Sequence, residues 1–205
     1  MAPLIPVRPR LTALTLALAG LLGVSGLAGC DSNVGTAAAV GNQSISESQV
    51  SQYLTAQSTP FPNQSGQTVE PKPLIVTFLI REALARQLLA QTPQGVPDTG
   101  DLQQAETSLL QQANESRSNF VQLYTGSGFK PAAADLAIRS NTLISILANR
   151  LGTDPNGQRF LQQHDVSIRV DPRYGSWQPS SLSVSGTAGD QLPFLKLQSP
   201  VVGAQ

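Results

Sequence analysis

The stretch Pro73-Leu74-Ile75-Val76-Thr77-Phe78-Leu79-Ile80-Arg81-Glu82-Ala83-Leu84-Ala85-Arg86-Gln87-Leu88-Leu89 decides the fold. Leu74, Ile75, Phe78, Leu79, Leu84, Leu88 and Leu89 recur at helical spacing. Pro73 suits a first helical position, where its missing N–H costs nothing. The apolar arc is too wide for a surface helix, so this helix is expected to be buried on most sides. Pro93, Gly95 and Pro97 end it. A domain built around such a helix is mainly α.

Toward the C-terminus, Asp101 and Gln104 have capping-box spacing. Leu102, Ala105, Leu109, Ala113, Phe120 and Tyr124 then predict one face of a long third helix, stopped by Gly126 and Gly128. Pro131 opens a fourth, with Leu136, Leu143, Ile144, Leu147 and Leu151 on one side. Arg150 suits its last turn and Gly152 its C′ position. Asp154-Pro155 predicts a short fifth helix through Gln163, although Asn156-Gly157 also fits a turn. Val166-Ser167-Ile168-Arg169-Val170 alternates with the period of a half-buried strand, which Pro172 ends.

Toward the N-terminus, Ser58 to Lys72 reads as a loop because of Pro60, Pro62, Gly66 and Pro71. Ser46-Glu47-Ser48-Gln49 forms a capping box before Val50, Tyr53 and Leu54, predicting a helix from Glu47 to Gln57. Thr36 to Val40 reads as a short strand and Gly41-Asn42 as a turn. The two strands are expected to pair and to lie on the helices, since an isolated ribbon is marginal. After Trp177 the chain is rich in Ser, Gly and Pro, and little regular structure is expected, apart from local docking of Pro193 to Leu197. The expected fold is mainly α, with four to five helices. A small two-stranded β-ribbon joins the N- and C-terminal ends of the domain.

Composition excludes several classes. Of 205 residues, 40% are hydrophobic and only 13% charged, which rules out a charge-rich disordered chain. The 13 basic residues balance the 13 acidic ones without a basic stripe, so no nucleic-acid partner is expected. One Cys and one His exclude an intramolecular disulfide and paired Cys/His zinc sites, and no metal is expected. Gly126-Ser127-Gly128 lacks the Lys-Ser/Thr of a phosphate loop, and no cofactor is expected.

The first residues carry an address. Arg8 and Arg10 precede an uncharged Leu/Ala-rich run, Leu11 to Val24, which is shorter than the ~20 residues a membrane span takes. It fits a signal-peptide core. Leu27-Ala28-Gly29-Cys30 looks like a bacterial lipobox. That likeness implies cleavage between Gly29 and Cys30, with a diacylglycerol on the Cys30 thiol. Two or three acyl chains would anchor the chain durably, because each buried CH₂ contributes about 0.8 kcal/mol. The expected organisation is a lipoprotein signal peptide over 1–29, a lipid-anchored tether over 30–35, a helical domain over 36–177 and a Ser/Gly/Pro-rich tail over 178–205. The expected location is the cell membrane, facing outside the cytoplasm.

Two strings flank the helical block: Ala37-Ala38-Ala39-Val40-Gly41-Asn42-Gln43-Ser44-Ile45-Ser46 and Asp165-Val166-Ser167-Ile168-Arg169-Val170-Asp171-Pro172-Arg173-Tyr174-Gly175-Ser176-Trp177. Together they resemble the SurA N-terminal domain family in its actinobacterial lipoprotein form. The family's usual Asn-Gly order at the first turn is Gly41-Asn42 here. The resemblance spans roughly Thr36 to Trp177 and implies a chaperone-like module that holds extended, apolar segments of exported proteins. Relatives with a parvulin isomerase domain use paired histidines, whereas only His164 is present. The stretch after Trp177 is also shorter than the ~40 residues a compact domain needs. A holdase-type module is therefore expected, not an isomerase or another enzyme.

Pro172, Arg173, Tyr174, Gly175 and Trp177 form the most distinctive local string. Arg, Tyr and Trp are frequent partner-contact residues. The same residues also serve structure: Pro stops the strand, Gly permits a positive φ, Trp caps the core and Arg pairs with a carboxylate. His164-Asp165 has half of an acid–base pair, but no nucleophile motif accompanies it, and a surface histidine at a helix C-terminus is the better reading. Glu47, Glu70, Glu82, Glu106 and Glu115 are scattered and show no metal-ligand spacing. No catalytic constellation is expected. The alternative function is a structural or adaptor lipoprotein that binds one folded envelope partner.

Overall fold

The computed structural model describes residues 35–62, 68–152 and 155–184. The chain divides into two compact units, Met1–Ser32 and Asn33–Gln205, and every described residue belongs to the second. Gly29, Cys30 and nearly all of the expected tether lie outside the described residues, as does 185–205. The domain opens with strands β1 (Thr36–Val40) and β2 (Gln43–Ser46) and the short helix α1 (Glu47–Ser51). A two-residue pairing, β3 (Phe61–Pro62) with β4 (Thr68–Val69), precedes α2 (Pro71–Leu89). Then come α3 (Thr99–Gln112), α4 (Arg117–Gly126), α5 (Pro131–Leu151) and α6 (Pro155–Gln163). The described chain ends with β5 (Ile168–Val170), β6 (Trp177–Gln178) and β7 (Ser183–Val184).

The mainly α expectation holds. Helix α2 is buried nearly all round, packing against α5, the first sheet, α1 and β7, as its wide apolar arc requires. Its start at Pro71 puts two prolines in the first turn, where their missing N–H groups are harmless. Helix α5 runs from Pro131 to Leu151, and Gly152, expected at C′, is its C-cap. Small residues on α5 (Ala133, Ala134, Ala137, Ser140) are fully buried, and α5 packs most extensively against α2. The buried Ser140, Asn141 and Thr142 satisfy themselves on carbonyls of the preceding turn, Asn141 Nδ2 donating to Ala137 O at 2.7 Å.

The two helices run in the same direction. Both begin beside the 53–58 segment: Lys130 N donates to Tyr53 O at 3.0 Å, while Pro71 and Pro73 share a groove with Leu54 and Thr55. At the far end of α5, Arg150 donates to Gly95 O in the segment that follows α2.

Strand β1 pairs with β5, as the sequence predicts, but the ribbon has a third strand, giving the order β2-β1-β5. Gln43–Ser46 is too short and polar to read as a strand alone, and it exists as the hairpin partner of β1. The Gly-Asn order suits this hairpin. The left-handed φ falls on Gly41 (+56°), the first central residue of the two-residue turn.

Among the described residues there are six helices, because the long third helix is broken. Asn114 takes a left-handed φ of +54°, and Ser116 caps a new helix by accepting from Asn119 N at 3.1 Å. Asp98, not Asp101, caps α3: its Oδ1 accepts from Asp101 N at 2.9 Å. Helix α1 stops at Ser51 instead of Gln57, since the next residues bond to the α4–α5 turn. Thr55 Oγ1 and Ser58 Oγ both donate to Gly128 O, at 2.6 and 2.9 Å. That approach needs a glycine: a Cβ on Gly128 would sit 2.4 Å from Gln57 O.

The chain past Trp177 is also more ordered than its composition suggests. β6 and β7 pair, and Val184 is fully buried. The hairpin is fastened by polar groups of α2. Val184 N donates to Thr77 Oγ1 at 3.1 Å. Arg81, 3% exposed, donates to Leu182 O at 2.6 Å, Ser181 O at 3.2 Å and Asn141 Oδ1 at 3.3 Å. The domain therefore extends to at least Val184 instead of ending at Trp177, and residues 178–184 of the expected tail belong to it.

An aromatic cluster fills the space between α2, α4 and the 59–61 segment. Tyr124 lies 5.2 Å from Phe120, 5.3 Å from Phe61, 5.6 Å from Phe129 and 6.4 Å from Phe78, centroid to centroid. Among the described residues its buried hydroxyl has no hydrogen-bond partner, and burial raises its pKa. An orphaned buried hydroxyl costs about 1–3 kcal/mol, while each aromatic pair contributes about 0.5–1.5 kcal/mol, so the ring and not the hydroxyl stabilises the site. Tyr124→Phe is therefore expected to raise unfolding stability by about 1 kcal/mol in urea melts. A loss of stability would show that the hydroxyl has a partner.

Candidate functional site

The site is built where β5 ends. Asp171 N makes the last rung to β1, donating to Ala37 O at 2.9 Å. Pro172 has no N–H to extend the ladder, so the chain turns. Tyr174 N donates to Asp171 O at 2.9 Å and Gly175 N to Pro172 O at 3.2 Å, with Gly175 at φ +113° as expected of it. The Asp171 carboxylate holds the turn from inside: it accepts from Arg173 N at 2.9 Å, Nε at 3.0 Å and Nη2 at 2.8 Å.

Glu47, at the first position of α1, completes the cluster. Its backbone N–H donates to Gly35 O at 2.7 Å. Its side chain accepts from the Tyr174 hydroxyl through Oε2. Oε1 lies 2.8 Å from Arg173 Nη2, an ion pair without hydrogen-bond alignment because the guanidinium fork is aimed at Asp171. Through its backbone and its carboxylate, one residue thus joins the start of β1 to the turn after β5. The Arg173 hydrogen bonds, side chain first and backbone second, lower the Asp171 pKa to about 2. The Asp171 hydrogen bond raises that of Arg173. Burial, and then the Glu47 carboxylate, raise that of Tyr174, whose proton stays on the hydroxyl as the donor to Glu47.

Arg173 and Tyr174 border an open groove of about 390 Å³. Leu54, Pro71, Pro73 and Tyr174 supply its apolar lining, and Glu70, Lys72 and Arg173 its charges. Thr55 and Ser58 also line it, but their hydroxyls are committed to Gly128 O. A second concavity, of about 500 Å³, lies on α4 and is lined by Glu115, Asn119, Gln122, Leu123, Gly126 and Ser127.

Of the five residues in the distinctive string, the structure brings Arg173 and Tyr174 to the groove. Pro172 ends the strand, Gly175 makes the turn, and Trp177 is half-buried against the core opposite Val184. His164 closes α6, with Nδ1 donating to Phe160 O at 2.8 Å and its ring stacked on Phe160 at 4.2 Å. That is a capping geometry. Glu47 was visible in the sequence only as one scattered carboxylate. Its signal was its place just after the Ser46 cap, where an acid is favoured. Among the described residues, no cluster of three His, Cys, Asp or Glu side chains suits a metal ion, and no helix is long and apolar enough to cross a membrane.

No family model, curated protein or solved structure matches this chain.

The lowered Asp171 pKa fixes a direction. Its contribution to stability is complete above the unfolded value of 3.8 and is lost as the pH falls through about 2. Asp171→Asn is expected to be less stable than the parent near neutral pH, with the difference closing as pH falls through that window. Urea melts along the acid limb check this. A difference that stays constant down to pH of about 2 would contradict it.

Proposed function

We propose that this chain is a lipid-anchored module outside the cytoplasm that holds short, extended segments of exported proteins without covalent chemistry. Cys30 in its lipobox supports the anchor. The two SurA-like strings support the chaperone-like class, and they meet through the β1–β5 pairing. The observation that carries the reading is the open groove beside Arg173 and Tyr174, which offers apolar lining from Leu54, Pro71 and Pro73 within a ring of mixed charges. Mixed charge favours tolerance of many sequences over steering of one.

A second reading, an adaptor for one folded partner, is favoured by a different observation. Among the described residues, Val96 (44%) and Leu161 (48%) are the large apolar side chains that stand well exposed. A holdase of the broad-patch type would show a larger apolar surface. The holdase reading therefore assigns binding to the groove and not to a helix face.

The test is aggregation suppression by the chain from Asp31 onward, at near-equimolar ratio with several unrelated unfolding proteins. Suppression of all of them is expected, with loss on Leu54→Glu while circular dichroism stays unchanged. Absence of suppression would overturn the holdase reading. Stoichiometric capture of one folded envelope protein would establish the adaptor in its place.

A further inference from the structure

The order β2-β1-β5 leaves β2 and β5 as the edges of the sheet, and they are not equivalent. Gly41 N donates to Ser167 O at 2.8 Å and Asp171 N to Ala37 O at 2.9 Å, with Arg169 opposite Ala39 between them. Backbone groups alternate sides along an antiparallel strand, so the N–H and C=O of Ile168 and of Val170 face away from β1. Among the described residues no backbone partner meets them. β6 comes near β5, but its ladder is with β7. By the same alternation β2 turns only Ser44 outward: Gln43 and Ile45 face β1, and the Ser46 N–H is taken by Gln49 Oε1. β5 is thus the edge with more to offer a further strand.

The side chains of β5 divide by face. Ile168 and Val170 lie half-buried against the core, and Arg169 is exposed on the other face. Arg169 makes no ion pair among the described residues. Its neighbours across the sheet, Ala39 and Ser44, are uncharged. Asp171 shares its face, but that carboxylate already holds Arg173 Nε at 3.0 Å and Nη2 at 2.8 Å. The exposed Asp165 precedes the strand.

Unpaired edge groups are matched by another extended backbone. Charge then selects among the possible occupants. A second copy of this chain, paired antiparallel about a two-fold axis through β5, would set Arg169 opposite its own counterpart. That is a non-hydrogen-bonded position, with Cα atoms about 4.5 Å apart, where like charges are destabilising. A strand with an acidic residue there gains an opposite-charge pair instead. The residues flanking that acid would lie beside Ile168 and Val170 on the face turned to the core, which suits apolar side chains.

We propose that the outer edge of β5 takes an extended segment of another protein as a fourth, antiparallel strand, with an apolar-acidic-apolar pattern whose acid faces Arg169. This site is separate from the groove and does not rest on the groove reading.

The test is an amide NMR titration of the chain from Asp31 onward, which holds the whole of the second compact unit. The probe is a capped Thr-Val-Glu-Val-Thr peptide at millimolar concentration. The Ile168 and Val170 amides are expected to shift to saturation and to exchange with solvent several-fold more slowly. Arg169→Glu is expected to weaken binding of this peptide several-fold and to favour Thr-Val-Lys-Val-Thr in its place. The same peptide N-methylated at both valines is expected not to bind, because those N–H groups would complete the ladder. Leu54→Glu, which alters the groove, is expected to leave these shifts unchanged. Equal binding of the N-methylated peptide would mean charge attraction without strand addition and would overturn the proposal. So would shifts confined to the groove, or none at Ile168 and Val170.

Discussion

The Glu47 carboxylate closes this domain. Its residue begins α1, its backbone binds the residue before β1, and its side chain holds the turn after β5. The first and last parts of a helical block are thereby fixed to each other outside the strand ladder. A three-stranded sheet with strands this short would be marginal alone. Here it is covered by α2 on one face and locked at its edge by a carboxylate, a hydroxyl and a guanidinium. The same lock shapes the groove, since Arg173 and Tyr174 are both its members and the groove's border.

Burial of α2 sets the other constraint. A helix covered nearly all round must satisfy whatever polar groups it carries. Thr77 and Arg81 do so by holding the 181–184 backbone. A buried guanidinium that lost these acceptors would be strongly destabilising. The C-terminal hairpin is thus a structural part of the core. Leu182, whose carbonyl Arg81 holds, takes a left-handed φ of +47°, a strained conformation for a residue with a branched side chain that the surrounding bonds keep in place.

What was legible in the sequence follows from this. Prolines 73 and 131, the Ser46–Gln49 box, Gly152 and the 166–170 alternation are local signals with local causes, and each marks an element or its end; Pro71, read as part of the preceding loop, is the first residue of α2. The pairing of the first strand with the last was legible because no other strand partner was visible. Features decided at long range were not legible. The 43–46 strand needs β1 beside it. The 177–184 hairpin needs Arg81, 101 residues before Leu182. The break at Asn114 was a competition between a continuing apolar stripe and a good cap at Ser116, and the cap prevailed. For the candidate site, the 172–177 string was visible but its division of labour was not. Only Arg173 and Tyr174 reach the groove, because Pro172 and Gly175 are used up making the turn that presents them.

Glu47 joins the ends of the domain, and its carboxylate sets the groove's edge. A double-mutant cycle between Glu47→Ala and Tyr174→Phe, read by urea unfolding, tests this most directly, because the cycle cancels the separate helix-start effect of Glu47. A coupling of about 1 kcal/mol or more is predicted for a hydroxyl donating to a carboxylate in a partly buried place. Additive losses with no coupling would mean that the two residues act independently, and the closure described here would be wrong.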